Sequence, residues 1–164
     1  MENFILVEYF TSKSDLKVEF EKKLISEALN ICNSIISNFT KAKNLSKLRV
    51  IRNKNLRTIK SEKTEYLFTN NKISMTKILR RVEKNSKVIF IAPEINKKSL
   101  NIHLRFRDCL NIFGSDFKCM EIFSSKVKTF EKLSELKLPV VGFYKNNFDP
   151  DTLFLVKPEY GAGS

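Results

Sequence analysis

Two lysines and a pair of glycines near the end of the chain carry its most pointed chemistry. In "LFLVKPEYGAGS", Lys157 follows an apolar run and precedes Pro158, Gly161, Gly163 and Ser164. Strand alternation would put Lys157 on one face with Leu153 and Leu155, so its ammonium would need an anionic partner. Gly161 and Gly163 would let backbone N–H groups turn toward that anion, with the Ser164 hydroxyl beside them. At about 4 Å and an effective dielectric near 20, a lysine and a phosphate charge attract by roughly 4 kcal/mol. The segment is not a Walker loop, because no Gly-Lys-Ser/Thr follows four variable residues. A purely structural turn is the plain alternative.

A second cationic position lies upstream. Ser125 precedes a helical pattern of Val127, Phe130, Leu133 and Leu136, which sets Lys126 and Lys128 in its first turn. The positive end of a helix dipole disfavours a cation there by up to about 1 kcal/mol, a cost that a bound phosphate would reverse. The alternative is a stray lysine in a lysine-rich chain. Other candidates follow from strand ends, where an open parallel sheet receives its ligands. Those ends carry Glu8 and Tyr9, Glu94 beside Pro93, and Ser124 to Lys126. The carboxylates could meet a substrate amine, and Tyr9 could wall a pocket; solvated carboxylates and simple packing are the plain readings. No glycine fingerprint follows the first strand, which argues against a dinucleotide site. His103 has no second ligand near it in sequence and is not read as catalytic or metal-binding.

The elements that must position these residues alternate between strand and helix. "NFILVEYF" and "KVIFIAPE" are short continuous apolar runs expected as buried strands, and "KLRVIRN" and "EYLFTN" add two more. The spacing of Phe20, Leu24, Ala28, Ile31 and Ile35 predicts a helix from Asp15 to Phe39, with Ser14 or Asp15 as its cap. Further helices are expected over "KISMTKILRRVEK", from Ser99 to Phe113 and from Ser125 to Lys137, with short strands at "FKCMEIF" and "TLFLVKP". Alternating βαβ units predict an α/β, Rossmann-like fold with a mostly parallel sheet and helices on both faces. The Pro- and Gly-containing stretch from Leu138 to Asp151 is a candidate junction to a further unit.

Composition bounds the partners. The 164 residues are 42% hydrophobic with fourteen Phe and no Trp, which is too apolar for a disordered chain. A formal net charge of +12 attracts polyanions, but the cations are chiefly lysine in a chain also rich in Asn and Ile, a bias that need not reflect binding. Cys32, Cys109 and Cys119 lack metal or redox spacing and read as reduced core cysteines of a cytoplasmic protein. No basic leader precedes the first strand, and no apolar run approaches a membrane span.

The lysine motifs also carry a family resemblance. "LFLVKPEYGAGS" resembles the Lys-Pro strand and glycine-rich loop of ATP-grasp ligases, and "IFSSKVKTFEKLSELKLPV" resembles their earlier segment of a lysine, a nearby Thr and a helix ending at a proline. "ILVEYFTSK", the long helix and "VIFIAPE" are similar to the preceding domain of the ATP-grasp group that includes tyramine-glutamate ligase. The resemblance implies a pre-ATP-grasp domain over 1–123 and the start of an ATP-grasp domain over 124–164. It implies an ATP-dependent carboxylate-amine ligase working through an acyl phosphate. Lys126 and Lys157 would hold ATP phosphates, and Gly161, Gly163 and Ser164 would begin the covering loop. The family often has Asp where this chain has Ser125. The resemblance extends over nearly the whole chain but only the front part of the family's architecture. The magnesium and adenine sites belong to the later half, so the isolated chain is expected to be inactive and a complementing C-terminal polypeptide would be its partner.

Two other functions compete. A nucleic-acid-binding module would use "KLRVIRNKNLRTIK", "KILRR" and "HLRFR", although no aromatic-basic RNA motif interleaves with them. A non-catalytic remnant would keep the fold for interaction alone.

Overall fold

A computed structural model of the protein describes residues 2–16, 22–43, 45–83, 85–94, 97–142, 151, 153 and 155–161. The chain divides into two compact units, Met1–Ala92 with Arg105–Gly114 and Pro93–Leu104 with Ser115–Ser164.

The first unit is organised by β1 (Glu2–Glu8), whose run Phe4-Ile5-Leu6-Val7 is buried on both faces. It pairs in parallel with β2 (Leu45–Asn53), Phe4 opposite Leu48 and Val7 opposite Ile51. On its other edge it pairs in parallel with β4 (Lys87–Ile91), Phe4 opposite Lys87 and Glu8 opposite Ile91. The edges are β3 (Thr64–Thr69), parallel to β2, and the two-residue β5 (Asn111–Ile112), parallel to β4. The result is a five-stranded parallel sheet in the order β3-β2-β1-β4-β5. Parallel neighbours cannot be joined by hairpins, so crossovers carry the helices that flank the sheet. The protein is therefore α/β, as the alternating signals predict.

The helix α1 (Lys22–Lys41) follows β1. Its buried residues are Ala28, Cys32 and Ile36, the last two packed on Phe4, Leu6, Leu48 and Val50, with Ile35 and Phe39 at the margin. Ile31, expected on the apolar face, is 49% exposed. The strict four-residue spacing of Ala28, Cys32 and Ile36 sets the inward face, and the small Ala28 and Cys32 side chains let the helix approach the sheet. Asp15 and Leu16 are not helical, and residues 17–21, where the expected helix begins, lie outside the described residues.

A fully buried Arg52 lies against the same helix. Its guanidinium donates to Arg57 O at 2.5 Å, to Cys32 Sγ at 3.0 Å and to Asn33 Oδ1 at 3.4 Å, and sits 5.3 Å from the Tyr66 ring centroid. Burial pushes the Cys32 thiol up from its ordinary pKa, and the nearby Arg52 only partly opposes that. Cys109 and Cys119 are exposed, so of the three expected core cysteines only Cys32 lies in the core. The reason is local: Cys109 belongs to the turn after a helix and Cys119 to the open side of a short one.

The helix α2 (Met75–Leu79) is shorter than the thirteen-residue pattern expected, and Ser74 caps it by accepting from Lys77 N. The helix α3 (Lys98–Phe106) stops short of Phe113 as well. After it, Cys109 N and Leu110 N both turn back to Phe106 O, and Asn111–Ile112 are recruited to the open edge of β4.

The second unit holds α4 (Phe117–Phe123) and α5 (Lys126–Glu135). The expected strand "FKCMEIF" is instead α4, because Asp116 Oδ1 accepts from Lys118 N at 2.8 Å and Cys119 N at 3.4 Å and so starts a helix. A seven-residue apolar run does not by itself choose between the two periods. The end of α5 is a six-to-one turn: Leu138 N donates to Leu133 O, Lys137 N to Ser134 O, and Lys137 takes a left-handed φ of 55° before Pro139. The expected strand "TLFLVKP" is absent among the described residues of that segment, where Leu153, Leu155 and Val156 are exposed. No strand partner lies beside them among the described residues, and without one their alternation has no face to bury. No described helix is long and apolar enough to cross a membrane.

Arg52→Ala should lower unfolding free energy by about 3 kcal/mol, since it leaves several buried acceptors without their donor and opens a cavity. Urea denaturation followed by circular dichroism reads this directly. A change within about 0.5 kcal/mol, typical of a surface site, would contradict the account.

Candidate functional site

The sharpest polar geometry in the second unit surrounds the start of α5. Ser125 is fully buried, and its extended backbone makes it the N-cap. Its Oγ accepts from Lys128 N at 3.1 Å and donates to Glu159 Oε1 at 2.6 Å. Lys126 N donates to Glu159 O at 3.0 Å, and Ser125 bridges Tyr160 in antiparallel fashion. The Lys126 ammonium bends back from the helix and donates to Pro158 O at 2.9 Å and Gly161 O at 2.8 Å. Gly161 has φ +118°, a backbone conformation that side-chain-bearing residues rarely adopt.

Two further lysines converge on this corner. Lys97, itself at a left-handed φ of 56°, places its ammonium 4.5 Å from the Tyr160 ring centroid. The Lys128 ammonium pairs with Glu121 Oε1 at 2.8 Å, linking α5 to α4. Hydrogen bonding from the Ser125 hydroxyl, then from Tyr160, holds the Glu159 carboxyl below its ordinary pKa, and Lys97 and Lys128 add to the effect. Glu121 is held low chiefly by Lys128, and Lys128 is correspondingly raised by Glu121. A cation-rich first turn is disfavoured by the helix dipole. The Glu159 carboxylate beside the cap offsets that cost from within the chain.

Of the residues singled out by sequence, Lys126 and Gly161 are thus brought together across 35 positions of chain. Lys157 is exposed one residue before Pro158 and forms no hydrogen bond or ion pair with another described residue. Gly163 and Ser164 lie outside the described residues. In the first unit, Glu8 is buried and its carboxylate caps a turn, accepting from Phe10 N at 3.1 Å and Thr11 N at 2.7 Å. Tyr9 is half-buried, donates its N–H to Ile91 O and has the Lys13 ammonium 5.1 Å from its ring. Glu94, in the second unit, is half-buried, and its Oε2 has no hydrogen-bond partner among the described residues. His103 is buried, with Nδ1 3.4 Å from Ser99 O. Sequence reading missed Glu159, Tyr160 and Lys97. An acid directly after Lys-Pro in a segment read as anion-binding was the available signal for Glu159.

The corner gathers the Lys126 and Lys97 side chains and the N-terminus of α5 around Glu159 and Tyr160. Among the described residues there is no group of three or more His, Cys, Asp or Glu that could hold a metal ion.

Because the Glu159 pKa is lowered on folding, its favourable contribution is present above the unfolded value of about 4.3 and fades as pH falls through the lower folded value. Carboxyl-detected NMR should show Glu159 titrating below the ordinary range. Ser125→Ala should move that midpoint upward and lose about 1 kcal/mol of cap stabilisation. An unmoved midpoint would show that the Ser125 hydroxyl does not hold the carboxylate.

The fold is similar to a crystal structure of an Archaeoglobus fulgidus protein that carries a provisional ATP-grasp superfamily assignment, with a TM-score of 0.59 and 18% identity. The likeness covers 82% of this chain and 40% of that one, so this chain spans less than half the length of its structural neighbour. No protein-family model matches the sequence, and no curated protein matches it. At this identity the likeness shows a shared α/β architecture.

Proposed function

We propose that the chain is the N-terminal part of an ATP-grasp enzyme, an ATP-dependent carboxylate-amine ligase. In this reading residues 1–123 form the preceding domain and 124–164 open the ATP-grasp domain. The observation that carries it is the meeting of the Lys126 ammonium with the Pro158–Gly161 backbone at the start of α5. The start of α5 and the Pro158–Gly161 segment that follows Lys157 meet there, and the likeness to the Archaeoglobus fulgidus structure supports the reading. The layout of the first strand, long helix and "VIFIAPE" strand favours the group that includes tyramine-glutamate ligase.

The reaction would pass the terminal phosphoryl group of ATP to a substrate carboxylate, giving ADP and an acyl phosphate. An amine would then attack the acyl carbon and expel phosphate. Lys126 and Lys157 would neutralise the phosphates, and Gly161, Gly163 and Ser164 would begin a loop over them. Magnesium, when bound, would supply positive charge to the phosphates during transfer. Glu8, Tyr9 and Glu94 are the candidates for the substrate side. Catalysis would need a complementing polypeptide to supply metal ligands and an adenine pocket, and this chain alone would be inactive.

The nucleic-acid alternative has weaker support. Within "KLRVIRNKNLRTIK", Arg52 is buried, while Lys47 and Arg49 contact Glu65 at 3.0 and 3.2 Å. These cations are committed to the protein rather than arrayed for phosphates.

Calorimetric titration of magnesium ATP into the chain mixed with the polypeptide encoded immediately downstream tests the proposal. Lys126→Met and Lys157→Met should each weaken binding about tenfold or more, while Lys132→Met, at the far end of α5, should change it less than about twofold. Equal affinity in all three variants would overturn the phosphate-site assignment.

A further inference from the structure

The strand β3, Thr64-Glu65-Tyr66-Leu67-Phe68-Thr69, lies at the edge of the sheet, and its outer side is open among the described residues. Leu48 N donates to Lys63 O and Lys54 N to Thr69 O, so by alternation the backbone groups of residues 63, 65, 67 and 69 face β2. Those of Tyr66 and Phe68 face away from the sheet, and no described residue bonds to them there. The Tyr66 and Phe68 rings stack with centroids 6.0 Å apart, and Phe68 is 44% exposed. Natural edge strands are guarded by charges, prolines or bulges. β3 pairs with β2 without a register shift and has no proline, and its one charge, Glu65, is taken up by Lys47 and Arg49 of β2.

We infer that β3 joins β3 of a second copy of this chain, antiparallel about a two-fold axis at Leu67. In that register Tyr66 falls opposite Phe68 of the other copy, twice by symmetry, and each pair exchanges two N–H to O bonds through the outward groups. The aromatic rings of both copies then line one face, and the two Leu67 side chains meet on the other. The same register sets Glu62 of each copy against Lys72 of the other. Both residues are exposed, and neither forms an ion pair with a described residue. Sliding the strands by two residues opposes Glu62 to Asn70 or to Ser74 and loses that pair. A one-residue slide would set outward groups against inward ones. Charge and hydrogen bonding therefore select one self-pairing. It joins the two sheets into one and leaves their carboxyl ends at opposite rims. The contact lies in the first unit and does not depend on ATP.

Analytical ultracentrifugation of the full chain from about 1 to about 200 μM tests this, with amide exchange followed by NMR at both ends of the range. The net charge of +12 repels the copies at low ionic strength, so the salt is held at about 0.15 M. A small interface of this kind should be half-formed at about 10 μM. As the dimer forms, the Tyr66 and Phe68 amides should gain protection, whereas the Leu67 amide, which faces β2 in either state, should not change. Phe68→Lys should weaken association about tenfold or more, and Phe123→Lys, at an exposed position on α4, should alter it less than about twofold. Glu62→Lys and Lys72→Glu should each weaken it about threefold, and the two together should restore it. If Phe68→Lys does not fold, the charge reversals, both at exposed turn positions, decide the matter. The inference is overturned by a chain that stays monomeric throughout the range, by a dimer in which the Tyr66 and Phe68 amides gain no protection, or by a double reversal that fails to restore association.

Discussion

The first unit depends on one constraint: β1 is hydrogen-bonded on both edges and buried on both faces. Ile5, Leu6 and Val7 are essentially without solvent contact, and each contributes about 2 kcal/mol of burial. Parallel pairing on both sides forces the crossovers, and the crossovers bring the ends of β1, β2, β3 and β4 to one edge of the sheet. At that edge the chain satisfies its own polar groups. Asn53 Nδ2 donates to Lys13 O and Ser14 O, Thr69 Oγ1 donates to Lys13 O, and the Glu8 carboxylate caps Phe10 and Thr11. The loop after β1 is thereby fixed from three strands. Such a network favours a single backbone arrangement, because leaving any member without its partner is costly.

The two units handle buried or crowded cations by the same means. Among the described residues, Arg52 is held by a carbonyl, an amide oxygen, a thiol and an aromatic face. Lys126 is held by two carbonyls. In each case backbone or neutral groups accept the hydrogen bonds of the cation. The difference is exposure. Arg52 is sealed into the packing of α1, whereas Lys126 is half-buried at the start of α5.

Much of the sheet was legible because β1 to β4 are apolar, β-branched or aromatic runs bounded by polar turns. The inward face of α1 was less so, since Ile31 and Cys32 are adjacent and only packing decides which of them enters. The segment 117–123 misleads because its period is too short to read, and one capping acid, Asp116, settles it. Similarly, Asn111–Ile112 becomes a strand only because β4 offers an edge. At the candidate site, Lys126 and Gly161 were visible through the Lys-Pro and glycine pattern. The role of Glu159 was not, because it exists only through contact with Ser125, 34 positions away. Lys97 lies in a connection with no local pattern, and its contact with Tyr160 is equally non-local.

The central claim is that the start of α5 and the segment from Lys157 to Gly161 together receive nucleotide phosphate. The most direct measurement is a residue-resolved NMR titration of magnesium ATP into the protein, following backbone amides and lysine ammonium signals. The account predicts saturable shifts concentrated at Ser125 to Lys128 and Lys157 to Gly161. Saturable binding whose shifts fall elsewhere, leaving those two segments unchanged, would contradict it.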